Sequence, residues 1–265
     1  MNKKLILNIL LIFFIILLIY SLINIITWFI DANKTDEQIQ KLQDIAQVEE
    51  TDEIQVSEKL KNEETSRENI STKMMKVDFT ELKKINPDVV GWIKVNGTNI
   101  DYPFVQASNN EFYLDHSFDK TYNKAGWVFL DYKNSKNSKE ELDKNTILYA
   151  HNRKDGTMFE TLKNVITDEW LQDQTNHLIK LSMENKNTIW KVFSAYTIPT
   201  TDDYLKINFN SDEEFEYFVK KIKDRSVYDF NTKVTVDDKI LTLSSCYINS
   251  QKRIVLHAKL LYNID

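Results

Sequence analysis

From Leu5 to Ile30 the chain carries no charged side chain, and its apolar run is broken only by Asn8, Ser21, Asn24 and Thr27. Wound as a helix at about 1.5 Å per residue, that run is about 39 Å long, more than the ~30 Å hydrocarbon core of a bilayer requires. The pattern predicts a membrane-spanning helix. A cleaved leader has a shorter apolar region and small residues at its cleavage site, whereas the positions after Ser21 stay bulky through Trp28, Phe29 and Ile30. The span therefore reads as an uncleaved anchor. Lys3 and Lys4 precede it and Asp31, Asp36 and Glu37 follow it. The positive-inside bias then puts residues 1–4 in the cytoplasm, residues 5–30 in the bilayer and everything beyond outside the cell, a single-pass arrangement at the cell membrane.

Residues 31–75 change character. From Asp31 to about Lys73 there is no aromatic residue, no Gly and no Pro, and Glu, Gln, Asp, Lys, Asn and Thr dominate. Ile39, Leu42, Ile45 and Ala46 keep helical spacing, while Ile54, Leu60 and Ile70 are too sparse for a core. This stretch is expected to be a solvated, partly helical stalk.

Residues 76–265 hold every Gly and Pro and are long enough for one domain with a sizeable core. An amphipathic segment from Asp78 to Ile85 predicts a helix that stops at Asn86-Pro87, because proline disfavours the helical conformation of the residue before it. Strand patterns follow at Val89–Val95, Thr98–Val105, Gly126–Leu130, Thr146–Ala150, Leu178–Ser182, Thr188–Ile198, Lys239–Ser245 and Arg253–Tyr262. Asn96-Gly97 between the first two predicts a type I′ hairpin turn. Thr167 to Leu171 reads as a short capped helix. Ser211 with Glu214 three residues on is a capping box opening a helix with Phe215, Phe218, Val219 and Ile222 on one face. Many short strands and few helices predict a mostly β, closed structure.

The chain has 34 basic and 40 acidic side chains, a net charge of −6. Setting Lys3 and Lys4 aside leaves 32 against 40, or −8, which argues against nucleic acid as a partner. Charge runs such as Lys220 to Arg225 read as solvated helix faces. There is no H-E-x-x-H, Cys-x-x-Cys or G-x-S-x-G motif, and four glycines leave no Gly-rich phosphate loop.

Cys246 is the one cysteine, so no intrachain disulfide can form. It ends an apolar strand pattern, where it is either buried filler or a nucleophile. A nucleophilic thiolate needs a nearby cation, usually histidine, and the oxyanion it generates needs a donor. His151 ends the strand pattern Thr146–Ala150 just before a polar turn, which places it better than His116, His177 or His257. Arg253 opens the last strand pattern seven residues after Cys246. If the two strands are neighbours, about 4.8 Å apart, its permanently charged guanidinium reaches a group bound at the thiol. Each of the three residues also has a plain structural reading.

Thr242-Leu243-Ser244-Ser245-Cys246 with Arg253, and Thr146-Ile147-Leu148-Tyr149-Ala150-His151, resemble the T-L-x-T-C, arginine and histidine motifs of the sortases, membrane-anchored cysteine transpeptidases of Gram-positive bacteria. The resemblance covers about Val77 to Tyr262. Asn86-Pro87-Asp88-Val89-Val90-Gly91-Trp92-Ile93, Asp101-Tyr102-Pro103, Asp155-Gly156-Thr157-Met158-Phe159 and Phe193-Ser194-Ala195-Tyr196 resemble class B in particular. It implies a sortase-type barrel of about eight strands, with an N-terminal helical segment and a long helix inserted between late strands. It also implies that Cys246 attacks the threonine carbonyl of a C-terminal sorting motif on surface proteins, giving a thioacyl-enzyme. His151 would protonate the leaving amine, Arg253 would stabilise the oxyanion, and a peptidoglycan amine would accept the acyl group. Neither ATP nor a redox cofactor nor a metal is implied. The residues matching the family's peptide groove are Asn110, Leu114, Tyr149, Thr200, Tyr204, Leu205, Ser244, Ser245 and Tyr247.

Two departures stand out. Ser245 replaces the usual threonine, keeping the hydroxyl without the β-branch, and the run from Cys246 to Arg253 is short. Asn-Pro-x-Thr-Asn and Pro-x-Thr-Gly motifs both remain compatible. A cysteine endopeptidase acting by hydrolysis and a non-enzymatic surface-binding domain are the alternatives.

Overall fold

The structure, a computed structural model, describes residues 3–57, 69–135, 141–246 and 252–264. Its first element, α1 (Lys3–Ile45), carries the apolar run and continues well past Ile30. The membrane-length window of α1 has none of its residues buried and is long and apolar enough to cross a bilayer. Beyond Asp31 the same helix turns its small and apolar positions to the domain: Ala32, Thr35 and Leu42 are buried, and Ile39 and Ile45 pack on the core.

The expected stalk is thus folded onto the domain along its described length. After α1, an antiparallel hairpin forms from β1 (Glu49–Ser57) and β2 (Asn69–Lys76). Met75 enters the main core, and Met74 packs with Leu178 and Ile189. Glu50 accepts a 3.0 Å hydrogen bond from the buried Lys180 ammonium, which holds its carboxyl below the usual carboxylate range. These partners lie 130 residues apart in sequence, so local composition gave no sign of them.

The helix α2 (Thr80–Ile85) ends where Asn86-Pro87 predicts. Asn86 is fully buried and donates through Nδ2 to the Tyr113 hydroxyl and the Phe118 carbonyl, at 2.8 and 2.7 Å. The stop signal therefore also pins the loop that bears Tyr113 and Phe118.

The remaining elements are β3 (Val89–Val95), β4 (Asp101–Val105), β5 (Phe129–Leu130), β6 (Asn145–His151), α3 (Asp168–Gln172), β7 (Leu178–Met183), β8 (Lys186–Pro199), α4 (Asp212–Asp224), β9 (Ile240–Cys246) and β10 (Lys252–Ile264). Eight strands close into a barrel in the order β10-β8-β7-β3-β4-β5-β6-β9. The pairs β4–β5 and β6–β9 are parallel and the others antiparallel. Closure removes the edges of this eight-stranded sheet, which is how a set of short strands becomes stable. Trp92, Phe104, Trp127, Ile147, Trp190 and Leu243 are among the side chains buried in the core.

Local expectations shift in three places. Gly97 has φ +69° but Asn96 is not left-handed, so the β3–β4 connection is not a type I′ turn. It runs from Asn96 to Ile100 and is closed by the Ile100 carbonyl on the Val95 N–H at 2.9 Å. The pattern at Gly126–Leu130 shortens to two strand residues. Gly126 sits at φ +62° with the Tyr113 carbonyl 2.6 Å from where a Cβ would be, so the chain is turning there rather than extended. At α3, the Thr167 hydroxyl donates to the Asn164 carbonyl and makes no cap. At α4, Ser211 caps the Glu214 N–H at 3.3 Å as expected, and Phe215, Phe218, Val219 and Ile222 are buried.

Candidate active site

Parallel pairing of β6 and β9 sets Tyr149, Ala150 and His151 against Ser244, Ser245 and Cys246 in turn. His151 and Cys246 are therefore direct register partners at the C-terminal ends of two neighbouring strands. On the other flank of β9, β10 runs antiparallel with Val255 opposite Ser244. Beyond that pair β10 continues past Ile254 to Arg253, whose guanidinium reaches back to β9 at Ser245, the residue before Cys246.

Two hydrogen bonds hold Arg253 in that place. The Ser245 hydroxyl accepts from the Ile254 N–H at 2.9 Å, and Arg253 Nη1 donates to the Ser245 carbonyl at 3.3 Å. Ser245 is fully buried, so its hydroxyl ties the two strands rather than facing a ligand. On its far side Arg253 pairs with Ile198 of β8, and Lys252 with Pro199, so the segment starting at exposed Thr200 leaves the barrel next to the guanidinium.

His151 is almost wholly buried, and its Nε2 lies 2.6 Å from the Leu114 carbonyl. A carbonyl only accepts, so Nε2 carries a proton in this geometry and the ring orientation is set by the 114 loop. The turn after His151 is held by the buried Arg153–Asp155 pair, Nε to Oδ2 at 2.7 Å, and by the Thr157 hydroxyl on Asp155 at 2.7 Å. Burial raises the Asp155 carboxyl, but these bonds outweigh it and the net displacement is downward. Asn152 contributes a buried Nδ2 that has no hydrogen-bond partner among the described residues.

The groove residues divide into three groups. Leu114 and Leu205 are half-buried and pack against the core, and Thr200 is exposed. Tyr204 and Ser244 are fully buried and satisfy one another, hydroxyl to hydroxyl, at 2.9 Å; they form a floor beneath the site. Tyr149 and Asn110 both donate to Asp131 Oδ2 at 2.9 Å, and Asn110 Oδ1 accepts from the Tyr132 N–H. They brace the wall between β5 and β6. Tyr247 lies outside the described residues.

Asp131, the Leu114 carbonyl, Arg153 and Asp155 are the supporting groups that sequence reading did not single out. The Asp155-Gly156-Thr157 turn was a visible signal for one of them. A second brace is the bidentate pair of Arg225 with Asp203, at 2.9 and 2.6 Å, which clips the segment bearing Thr200, Tyr204 and Leu205 to the end of α4. The Arg225 hydrogen bonds hold the Asp203 carboxyl well below the usual range. A cavity of about 700 Å³ lined by Gln106, Asn109, Phe112 and Tyr132 adjoins the Asn110 wall but touches neither His151 nor Arg253.

A model of the sortase domain matches residues 93–261, which includes every strand of the barrel from β4 to β9 together with His151, Cys246 and Arg253. The chain belongs to the sortase family. Sortase B of Staphylococcus aureus is 37% identical over 188 residues, covering 69% of this chain and 74% of that protein. Sortase B of Listeria monocytogenes is 37% identical over 169 residues, covering 64% and 67%. Among solved structures, the S. aureus sortase B–substrate complex superposes with a TM-score of 0.64 at 37% identity, over 69% of this chain and 83% of that one. A sortase B from B. anthracis superposes with a TM-score of 0.71 at 31% identity, over 88% and 99%. This sortase is accordingly a B-type transpeptidase, with the closed eight-stranded barrel those relatives share.

Proposed function

We propose that this sortase joins surface proteins to the cell wall through a thioacyl-enzyme on Cys246. The pairing of His151 with Cys246, together with the Arg253 hydrogen bond to the carbonyl of Ser245, supports the reading, in which these residues act as base, nucleophile and fixed cation. The Cys246 thiolate adds to the threonine carbonyl of a C-terminal sorting motif, and Arg253 donates to the oxyanion that forms. The C–N bond breaks as His151 gives a proton to the leaving amine. An amine of a peptidoglycan peptide then attacks the thioester, loses a proton to His151 and releases the thiolate. One amide replaces another, so the exchange balances without an external energy source.

The S. aureus relative solved with its substrate supports binding of a sorting-motif substrate. Leu114, Leu205 and Thr200 are the groups here with apolar or exposed surface to line that path; Tyr204, Ser244, Tyr149, Asn110 and Ser245 shape it from below. Residues 5–30 anchor the enzyme, with residues 1–4 cytoplasmic, residues 31–75 an extracellular linker whose described parts pack on the catalytic domain, and residues 76–265 forming that domain outside the cell. The test is to incubate the enzyme with Asn-Pro-x-Thr-Asn and Pro-x-Thr-Gly peptides, with and without an oligoglycine or a diaminopimelate-type amine. A transpeptidase yields the amide product and turns over faster with the amine. Hydrolysis unaffected by either amine overturns the transfer step.

A further inference from the structure

The helix that holds the apolar run also holds the domain, and the first contact comes at once. Asp31 directly follows the last apolar residue of the run, and its carbonyl lies 3.5 Å from Asn123 Nδ2. The same amide donates to the Thr35 hydroxyl at 3.1 Å, one turn further on. Trp28 marks the interfacial end of the run, since tryptophan favours the headgroup boundary. At about 1.5 Å per residue, Asp31 and Thr35 stand about 5 and 10 Å beyond it. The headgroup layer on each side of a bilayer is about 5–7 Å deep.

The chain around Asn123 descends toward that layer. Asp119 is hydrogen-bonded by Gln38, whereas Asn123, four residues later, meets Thr35 and Asp31. Next comes a turn closed by the Asn123 carbonyl on the Gly126 N–H at 2.9 Å. Exposed Lys124 is at its tip, and Tyr122, 64% exposed, precedes it. Neither Lys124 nor Lys34, the first lysine of α1 after the span, has an ion-pair partner among the described residues. A phenol beside free ammonium groups suits phosphate and glycerol oxygens.

We propose that the turn Asn123–Gly126, with Tyr122 and Lys124, is a second membrane contact that sits among phospholipid headgroups, so that the catalytic barrel rests on the bilayer instead of standing away from it. This rests on the reading of residues 5–30 as a spanning anchor. The contact fixes the height of the active site, because the Asn123 N–H donates to the Asp115 carbonyl at 2.9 Å and the adjacent Leu114 carbonyl is the partner of His151.

Nitroxide labels on the full chain, in a Cys246→Ala background and in vesicles of phosphatidylglycerol and phosphatidylcholine, test it. Labels are placed singly at Ile16→Cys, Tyr122→Cys, Lys124→Cys and Asp237→Cys, the last exposed just before β9 at the barrel end away from His151. Relaxation by a water-soluble nickel chelate is expected to be several-fold weaker at Tyr122 and Lys124 than at Asp237, with Ile16 protected from the chelate and open to oxygen. Chelate access at both turn positions equal to that at Asp237, with Ile16 still in hydrocarbon, overturns the second contact while leaving the anchor standing. An Ile16 label open to the chelate overturns the anchor and this proposal with it.

Discussion

His151 and Cys246 occupy the same rung of two parallel strands, β6 and β9, each as the last residue of its strand. A parallel ladder fixes that juxtaposition through the backbone. What that ladder does not fix is the position of Arg253, which is held by its pairing with Ile198, by its own bond to the Ser245 carbonyl and, through Ile254, by the Ser245 hydroxyl.

Replacing Ser245 with alanine leaves the buried Ile254 N–H without its acceptor, at a cost of about 1–3 kcal/mol. The expected result is a lower Tm and a loss of kcat/KM larger than the stability change alone explains, because the backbone beside Arg253 loses one of its ties to β9. Ser245→Thr keeps the hydroxyl and is expected to retain most activity. Denaturant unfolding and peptide kinetics on both variants check this, and an active, fully stable Ser245→Ala enzyme removes the tether from the mechanism.

The Tyr204–Ser244 pair predicts coupling rather than two separate binding contacts. Tyr204→Phe and Ser244→Ala each break this buried hydroxyl–hydroxyl bond and are expected to destabilise by about 1–3 kcal/mol. The double variant should cost clearly less than the two losses added together. Additive losses accompanied by a raised KM in each single variant would instead make both hydroxyls peptide ligands.

The clip between Arg225 and Asp203 is partly exposed, so Arg225→Met is expected to lower stability by no more than about 1 kcal/mol. Its larger effect falls on the segment carrying Thr200 and Leu205: KM for the peptide is expected to rise several-fold with kcat little changed. Because the folded-state Asp203 carboxyl is held below its ordinary value of 3.8, its contribution is present above that pH and fades as acid protonates it. Comparing wild type and Arg225→Met across salt and pH measures this directly; an unchanged KM dissociates the clip from binding.

His257 gives the fold a separate acid sensitivity. The ring is fully buried between the Thr242 and Tyr196 hydroxyls, each at 2.9 Å. Burial, helped by Arg225, pushes its pKa from 6.5 down to about 3. The unfolded chain therefore takes up a proton before the folded one does. Stability from this group is whole above pH 6.5 and is lost as pH falls from there toward 3, at up to about 1.4 kcal/mol per pH unit. Urea unfolding at pH 7 and pH 5 should show a loss of about 2 kcal/mol that His257→Gln largely removes; equal pH slopes in the two proteins refute the assignment.

Much of this arrangement was legible because it is local. The strand ends at His151 and Cys246, the stop at Asn86-Pro87 and the Ser211 cap each follow from residues within one turn or strand. The hairpin of β1 and β2 was not legible, since its strands are polar and gain their hold from distant groups such as Lys180. For the same reason the sequence showed Tyr204 and Ser244 only as candidate ligands. Two hydroxyls 40 residues apart give no sign in the pattern that they will meet and satisfy each other. Lys220 to Arg225 looked like a plain solvated face until Asp203 was found against Arg225.

The claim that Cys246 is the acyl carrier, poised by His151 and Arg253, is tested most directly by intact-mass analysis of the enzyme quenched in acid during turnover of a sorting-motif peptide. The expected product is an adduct of the peptide cut after threonine, mapped to Cys246, released by hydroxylamine, absent from Cys246→Ala and much reduced in Arg253→Ala. Peptide cleavage at the wild-type rate by Cys246→Ala, or an acyl adduct mapped to any other residue, overturns the assignment.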